Sequence, residues 1–330
     1  MLVISGEEIR TIYPMKDAIE ATKHAYSLFS EGKSDVPLRT SLKVKEHNGN
    51  VLFMPAYISG ENPLVGIKIV SVYVDNPGKG LPAIPSTVLL VDAENGFVKA
   101  IMNGTVLTQI RTGAASGAAT DLLARPDSKI GALFGAGGQA EFQLEAMITA
   151  RTLEEVRVFD PRIENCRSFI ERIKDKEPFS GVRLVVAETS DEAVRDADII
   201  TAATTAKRPV FNAGSVKPGV HINGVGSYTH EMQELDPGIL NRAGKIYMDS
   251  IEAVLAESAD FINPLNEKTF SRDSITGELG ELAQGKKPGR ASSEEITLFK
   301  TVGIAVQDVV AAEEIFKRAV IHKAGKTISF

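Results

Sequence analysis

The sequence predicts an α/β chain of two domains, one of them built around a parallel sheet. Three observations carry this. Beyond about residue 128, short apolar runs alternate with helical stretches, as βαβ units require. Up to about residue 103 the chain is instead rich in strand patterns, two hairpin signals among them. The length of 330 residues also suits two domains at roughly 100–200 residues each.

Along the N-terminal segment, Ala18, Ile19, Thr22, Ala25, Tyr26 and Phe29 recur at helical spacing, and Gly32 ends that helix. Val36 to Val44 alternates, with Leu38, Thr40, Leu42 and Val44 on one face and Arg39, Ser41 and Lys43 on the other. Asn48-Gly49 turns the chain into a strand over Val51–Tyr57. Leu64–Val74 is apolar on both faces, which predicts a strand buried on both. Ser86–Val91 and Phe97–Met102 flank Asn95-Gly96, a second hairpin. Residues 105–124, rich in Ala, Gly and Thr, read as a close-packing helix. Arg125-Pro126-Asp127-Ser128 then breaks the chain and marks a domain boundary. Strands follow at Lys129–Phe134, Val156–Phe159, Leu184–Val186, Asp198–Ala202, His221–Val225 and Lys245–Met248. Ser292-Ser293-Glu294-Glu295 predicts the cap of a last helix carrying Ile296, Phe299, Val302, Val306, Val309 and Val310.

Composition excludes several classes. With 43 acidic against 37 basic residues, net −6, the chain does not suit a nucleic-acid backbone. No apolar run reaches the ~18 residues of a membrane span, and no secretory signal opens the chain. One cysteine, Cys166, forms no intramolecular disulfide, which suits a reducing, cytoplasmic setting. The five histidines and Cys166 show no zinc-ligand spacing, so no metal is expected. Gly280–Lys287 nearly matches a phosphate-binding loop but lacks the following Ser/Thr and runs into Pro288, so it reads as a helix end and loop.

One motif carries chemistry. Gly135-Ala136-Gly137-Gly138-Gln139-Ala140 follows a short strand and opens a helical stretch, and a second strand ends in Asp160. That is the context of a dinucleotide-binding turn, the alternative being a glycine turn in a flavodoxin-like fold that binds no dinucleotide. The first glycine permits the tight turn, the second lets the backbone reach a pyrophosphate, and Ala140 keeps helix and strand close. Asp160 suits a ribose 2′-hydroxyl and repels a 2′-phosphate, which favours NAD. Arg162 keeps NADP open. Two charges also stand in apolar company. Lys68 interrupts Val65–Val70, where a buried ammonium is costly unless paired or neutralised. It reads as a lysine meeting an anionic substrate or moving a proton, the alternative being an edge-strand lysine reaching solvent. Arg111 lies in the Ala/Gly/Thr helix and suits a carboxylate or phosphate, the alternative being an ordinary exposed arginine.

Several separate stretches together resemble the ornithine cyclodeaminase/μ-crystallin family. They are Phe53–Tyr57, Gly66-Ile67-Lys68, Ile110–Ala114, Phe134–Ala140, Ile222–Ser227 and Ile296–Gly303. The resemblance spans essentially the whole chain. It implies a homodimer, and a Rossmann domain (125–304) inserted into an α+β substrate-binding and dimerisation domain (1–124 plus 305–330). It implies hydride transfer between a nicotinamide and the α-carbon of a small amino or imino acid. It places Arg39, Lys68 and Arg111 on the substrate carboxylate, with Lys68 and Arg111 as the catalytic pair. Met54 and Tyr228 fall in the substrate pocket. Thr87, Thr112, Gly135–Ala140, Asp160, Arg162 and Gly226 fall to the cofactor.

Within the family, departures select the substrate. Cyclodeaminases carry an Asp where this chain has Tyr228, and a Glu before Met-Pro where it has Leu52-Phe53. Both carboxylates that serve a side-chain amine are missing. Their loss penalises ornithine at ~1.5–3 kcal/mol per charged hydrogen bond, and spares a cyclic imine with no second amine. The expectation is therefore reduction of Δ1-pyrroline-2-carboxylate or Δ1-piperideine-2-carboxylate. Ornithine cyclodeaminase, alanine dehydrogenase and a non-catalytic crystallin-like nucleotide binder are the alternatives.

Overall fold

The computed structural model describes residues 1–329. The chain begins with β1 (Leu2–Ile4), α1 (Gly6–Ile12), α2 (Met15–Ser30), β2 (Ser34–Asp35), β3 (Thr40–Val44), β4 (Gly49–Ile58), β5 (Leu64–Tyr73), β6 (Ser86–Val91), β7 (Val98–Asn103) and α3 (Gly104–Leu123). Strands and helices then alternate: β8 (Ile130–Phe134), α4 (Ala140–Ala150), β9 (Glu155–Phe159), α5 (Ile163–Ile173), β10 (Arg183–Val186), α6 (Ser190–Val194), β11 (Ile199–Ala202) and β12 (His221–Gly224). After them come α7 (Pro237–Arg242), β13 (Ala243–Met248), α8 (Ile251–Glu257), α9 (Ala259–Asn266), β14 (Gly277–Glu278), α10 (Leu279–Ala283) and β15 (Ile296–Lys300). The chain closes with α11 (Ala305–His322) and β16 (Lys326–Thr327).

Two compact units result. One is Met1–Arg111 together with the chain from Ile304 onward; the other is Thr112–Gly303. The first boundary differs from the one expected at Arg125-Pro126. That breaker ends a helix rather than a unit. The start of α3 bonds the first sheet, with the Thr105 hydroxyl accepting from the Ser86 N–H at 3.0 Å. Its end belongs to the second unit, where the Thr120 hydroxyl accepts from Asn223 at 3.0 Å and the Leu123 carbonyl from Arg290 at 2.7 Å. The second boundary lies at 303/304, where 304/305 was expected.

The first unit holds an eight-stranded sheet ordered β16-β1-β7-β6-β5-β4-β2, with β3 also on β4. Only β1 and β7 pair in parallel. Burial alternates with period 2 along β4 to β7, so each strand has a buried and a half-exposed face. Across the buried face, Met54, Lys68, Val88 and Met102 stand directly opposite one another, all at most 5 % exposed. Each apolar member of that row contributes about 1.5–3 kcal/mol by leaving water. Helix α11 covers this face and packs against α2. β5 is therefore buried on one face, not on both. The other face keeps Pro55, Ile67, Leu89 and Ile101 aligned and only partly covered. The strand expected over Val36–Val44 begins only at Thr40, leaving Arg39 in the preceding loop.

The second unit is a doubly wound Rossmann fold. Its eight strands are all parallel, in the order β10-β9-β8-β11-β12-β15-β13-β14. Strand order reverses between β8 and β11, the switch point where ligands bind such sheets. Phe134, at the end of β8, packs on Phe159 and Phe211 with ring centroids 5.6 and 5.2 Å apart. Ile296–Lys300 is a strand rather than the start of the last helix. All five of its residues are buried, which erases the alternation that marks a half-exposed strand. Helix α11 starts later, at Ala305. Cys166 is buried on α5. No helix among the described residues is long and apolar enough to cross a membrane.

His221 reports on this core. Its ring nitrogens bond Thr297 Oγ1 at 2.9 Å and Asn223 Oδ1 at 3.0 Å, and burial pushes the imidazole down to about 3. The unfolded chain therefore binds a proton near pH 6.5 that the folded chain refuses. Stability is full above that pH and falls below it, by about 1.4 kcal/mol per pH unit. Thermal melting between pH 7 and 4 should show this slope, and His221→Gln should flatten it by about one proton.

Candidate active site

Two groups of polar residues stand out, one in each unit. In the first unit, β5 delivers Lys68 to the buried face, where it is almost wholly out of solvent and the apolar row offers no partner. The partner comes from α11: Asp308 Oδ2 lies 2.6 Å from Lys68 Nζ, and both side chains are at most 2 % exposed. The same carboxylate accepts from Arg111 Nε through Oδ1 at 3.0 Å. Arg111 Nη1 also donates to Gln307 Oε1 at 3.4 Å, and Gln307 Nε2 donates to the Arg111 carbonyl at 3.5 Å. Two cations thus share one anion, an excess of one positive charge. Burial first, then Arg111, lowers the Lys68 ammonium to about 7, with Asp308 holding it up and Arg39 adding to the depression. Arg39 is half-buried. Met54 sits directly across from Lys68 on β4. Arg39, Met54, Lys68 and Arg111 therefore converge, as their types allow. Thr87 does not join them. It is exposed and pairs with Ile69 on the opposite face of the sheet.

In the second unit, the turn after β8 is built for close approach. Gly135 has φ +95°, and a Cβ there would come within 2.7 Å of the Ala203 carbonyl oxygen. A Cβ on Gly137 would meet nothing within 4 Å, so the turn is open on that side. Gln139 precedes the first turn of α4, whose Ala140 is buried. Asp160 follows β9. One of its oxygens accepts from the Ala136 N–H at 3.3 Å, and the other from the Arg162 N–H and Asn165 Nδ2 at 3.0 Å each. The Arg162 side chain is 83 % exposed and its Nε lies 4.0 Å from Asp160. A positive-φ glycine, a second glycine with open space beside it, a helix start and a fixed carboxylate at the next strand end are the parts a dinucleotide-binding turn needs. Thr112 is half-buried on α3, and Tyr228 half-buried beyond β12. Gly226 is fully buried, with its N–H on Glu234 Oε1 at 2.5 Å.

Sequence reading missed Asp308, Gln307 and a buried trio in the second unit, Glu234, Asp260 and Lys300. Asp308 had the same signal as Lys68, a charge between Val306 and Val309. In the trio, Lys300 Nζ lies 3.0 Å from Asp260 Oδ2 and 4.0 Å from Glu234 Oε1. Burial pushes the Glu234 carboxyl up, against the pull of Lys300.

The Rossmann unit with its glycine turn and Asp160 marks a nucleotide-dependent oxidoreductase class. The family model of the ornithine cyclodeaminase/mu-crystallin family matches residues 2–323, and the chain belongs to that family. A Δ1-pyrroline-2-carboxylate reductase from Bacillus cereus is 38% identical over 330 residues, covering 100% of both chains. A Δ1-pyrroline-2-carboxylate reductase from Thermococcus litoralis, solved with NADH and L-proline, superposes with TM-score 0.94 at 39% identity, covering 99% of this chain and 100% of that one. An archaeal alanine dehydrogenase dimer with bound NAD superposes with TM-score 0.91 at 33% identity, covering 100% and 99%.

Removing the shared carboxylate leaves two cations buried without their anion. Asp308→Ala is expected to cost about 3 kcal/mol or more in a urea titration, with the denaturant slope unchanged.

Proposed function

We propose that this protein reduces Δ1-pyrroline-2-carboxylate to L-proline with NADH. The observation that carries the reading is the excess positive charge buried around Lys68 and Arg111. A buried cation in surplus of its anion calls for an anionic ligand, and a planar imino-acid carboxylate fits the guanidinium fork of Arg111. Likeness to reductases of this substrate supports the choice, as does the absence of the two amine-handling carboxylates.

Arg39, Lys68 and Arg111 hold the carboxylate, so the ring enters in one orientation beside Met54. When bound at the Gly135–Ala140 turn with its ribose on Asp160, NADH supplies the hydride that C2 of the ring accepts. Thr112 and Gly226 complete the cofactor contacts in this reading, and Thr87, on the opposite face of the first sheet, is not among them. The substrate carboxylate restores the Lys68 proton, because a second anion beside the ammonium offsets its burial. The protonated lysine keeps a proton available to the ring nitrogen, so the carbon stays electrophilic and the product amine leaves charge-balanced. What the chain contributes is chiefly position and a water-poor, preorganised field. Asp160 favours NADH over NADPH by repelling a 2′-phosphate.

The chain also assembles as a homodimer in this reading. The aligned Pro55, Ile67, Leu89 and Ile101 form an apolar strip on the open face of the first sheet, continued by Tyr57 at 44 % exposure. A second copy burying the same strip removes it from water. Light scattering should give a dimer for wild type and a monomer for Ile67→Glu. A monomeric wild type would overturn this assembly.

The activity is tested with purified protein, each cofactor, and a panel of pyrroline-2-carboxylate, piperideine-2-carboxylate, ornithine, and pyruvate with ammonia. NADH oxidation with the five-membered imine is expected. No oxidation with either imine, while ornithine yields proline and ammonia, would replace the reading with cyclodeamination. The pH profile adds a check on Lys68. kcat/KM should fall as pH rises through about 7, where the free enzyme's lysine loses its proton, and kcat should fall only at higher pH. Identical limbs for both would remove Lys68 from the proton path.

A further inference from the structure

Glu234 is wholly buried beyond β12, and the reduction described above makes no use of it. Its carboxylate ties two loops together. Oε2 accepts from the N–H and the hydroxyl of Thr204, both at 3.0 Å, and Oε1 accepts from the Gly226 N–H at 2.5 Å. Thr204 lies two residues past β11, and Gly226 two residues past β12. The loops meet main chain to main chain, since a Cβ on Gly226 would collide with the Thr204 nitrogen and carbonyl oxygen. Glu234 is itself anchored. Asp260 Oδ1 accepts from the N–H groups of Glu234 and Leu235 at 2.8 and 2.9 Å, and Lys300 Nζ stands between the two carboxylates. Three buried charges on α9, on β15 and beyond β12 thus converge on two loop ends. Nothing about packing alone asks for charges there, because apolar residues would fill the space at less cost in desolvation.

The loops in question lie at the carboxyl edge of the parallel sheet, on one side of the switch point between β8 and β11. Asp160 lies at the end of β9, on the other side, and the Gly135 turn follows β8. A dinucleotide with its ribose at Asp160 and its pyrophosphate across that turn extends its other half over β11 and β12. We propose that Glu234 is a positioning residue for the nicotinamide half of the cofactor, holding the main chain at Thr204 and Gly226 as one preformed surface without touching the ligand. The assignment rests on the cofactor reading above, and not on the identity of the imine. Glutamine cannot replace the glutamate. Its single carbonyl oxygen can serve Thr204 or Gly226, and its NH2 would then face a second donor.

The test compares NADH with ADP-ribose, which shares the adenosine and pyrophosphate but lacks the nicotinamide. Binding of each to wild type, Glu234→Gln and Thr204→Val is measured by calorimetry, with no imine present. Glu234→Gln is expected to weaken NADH about tenfold and ADP-ribose less than about twofold. Thr204→Val, which keeps the Thr204 N–H on Glu234 but removes the hydroxyl's bonds to Glu234 and from the Ala206 N–H, should weaken NADH alone by about two- to threefold, and it carries the comparison if Glu234→Gln does not fold. Equal losses for both ligands, or none for either, would overturn the assignment and leave Glu234 a structural residue. Wild-type protein that binds neither ligand would overturn the cofactor reading, and this assignment with it. Failure of the imine assay leaves the binding comparison standing.

Discussion

The carboxylate of Asp308 is the constraint on which the first unit turns. It sits between the ammonium of Lys68 and the guanidinium of Arg111, which arrive on a strand and on a helix far apart in the chain. Without it the buried face of the sheet would hold two cations against Met54, Val88 and Met102. With it, one charge is compensated and one is left over. That remainder links fold to the proposed function, because it matches the charge of one small acid. Burial first, and Arg111 second, make the Lys68 proton easier to lose.

The second unit uses carboxylates differently, as fasteners for main-chain N–H groups around its strand ends. Asp198 accepts from the N–H groups of Lys129 and Ile130. Asp249 accepts from Ser250, Val302 and Gly303, and Asp160 from Ala136 and Arg162. Asp198 does this at the amino edge of the sheet, just before β11, and Asp160 and Asp249 do it at the carboxyl edge, where a loop N–H buried without a partner would be costly. Supplying the acceptors from side chains keeps those loops in place while leaving their outer surface open for a ligand.

What the sequence made legible follows locality. The Gly135–Ala140 turn and Asp160 could be read because strand, turn, helix and second strand are consecutive. Lys68 and Arg111 could be suspected because each is a charge in apolar company. Their shared partner could not be paired with them, since nothing local says that a helix after residue 304 returns to the first sheet. Strand β15 was hidden for a physical reason. Ile296 and Phe299 are three apart, which suits a helix, and burial on both faces removes the alternation that would argue otherwise. Glu234, Asp260 and Lys300 become a group only once β12 and β15 are neighbours, which is tertiary information.

Helix α11 covers the first sheet but leaves the ribosome after every other described helix. Throughout synthesis, the residues of β4 to β7 therefore lack the surface that covers their buried face, and Lys68 lacks its counter-ion. The inserted unit is contiguous, so its residues have all emerged before that cover exists. The order of completion runs opposite to the order of sequence: the middle of the chain can close first, and the beginning closes last. A nascent chain halted before residue 305 would therefore display an uncovered apolar sheet, the state most exposed to aggregation and to chaperones.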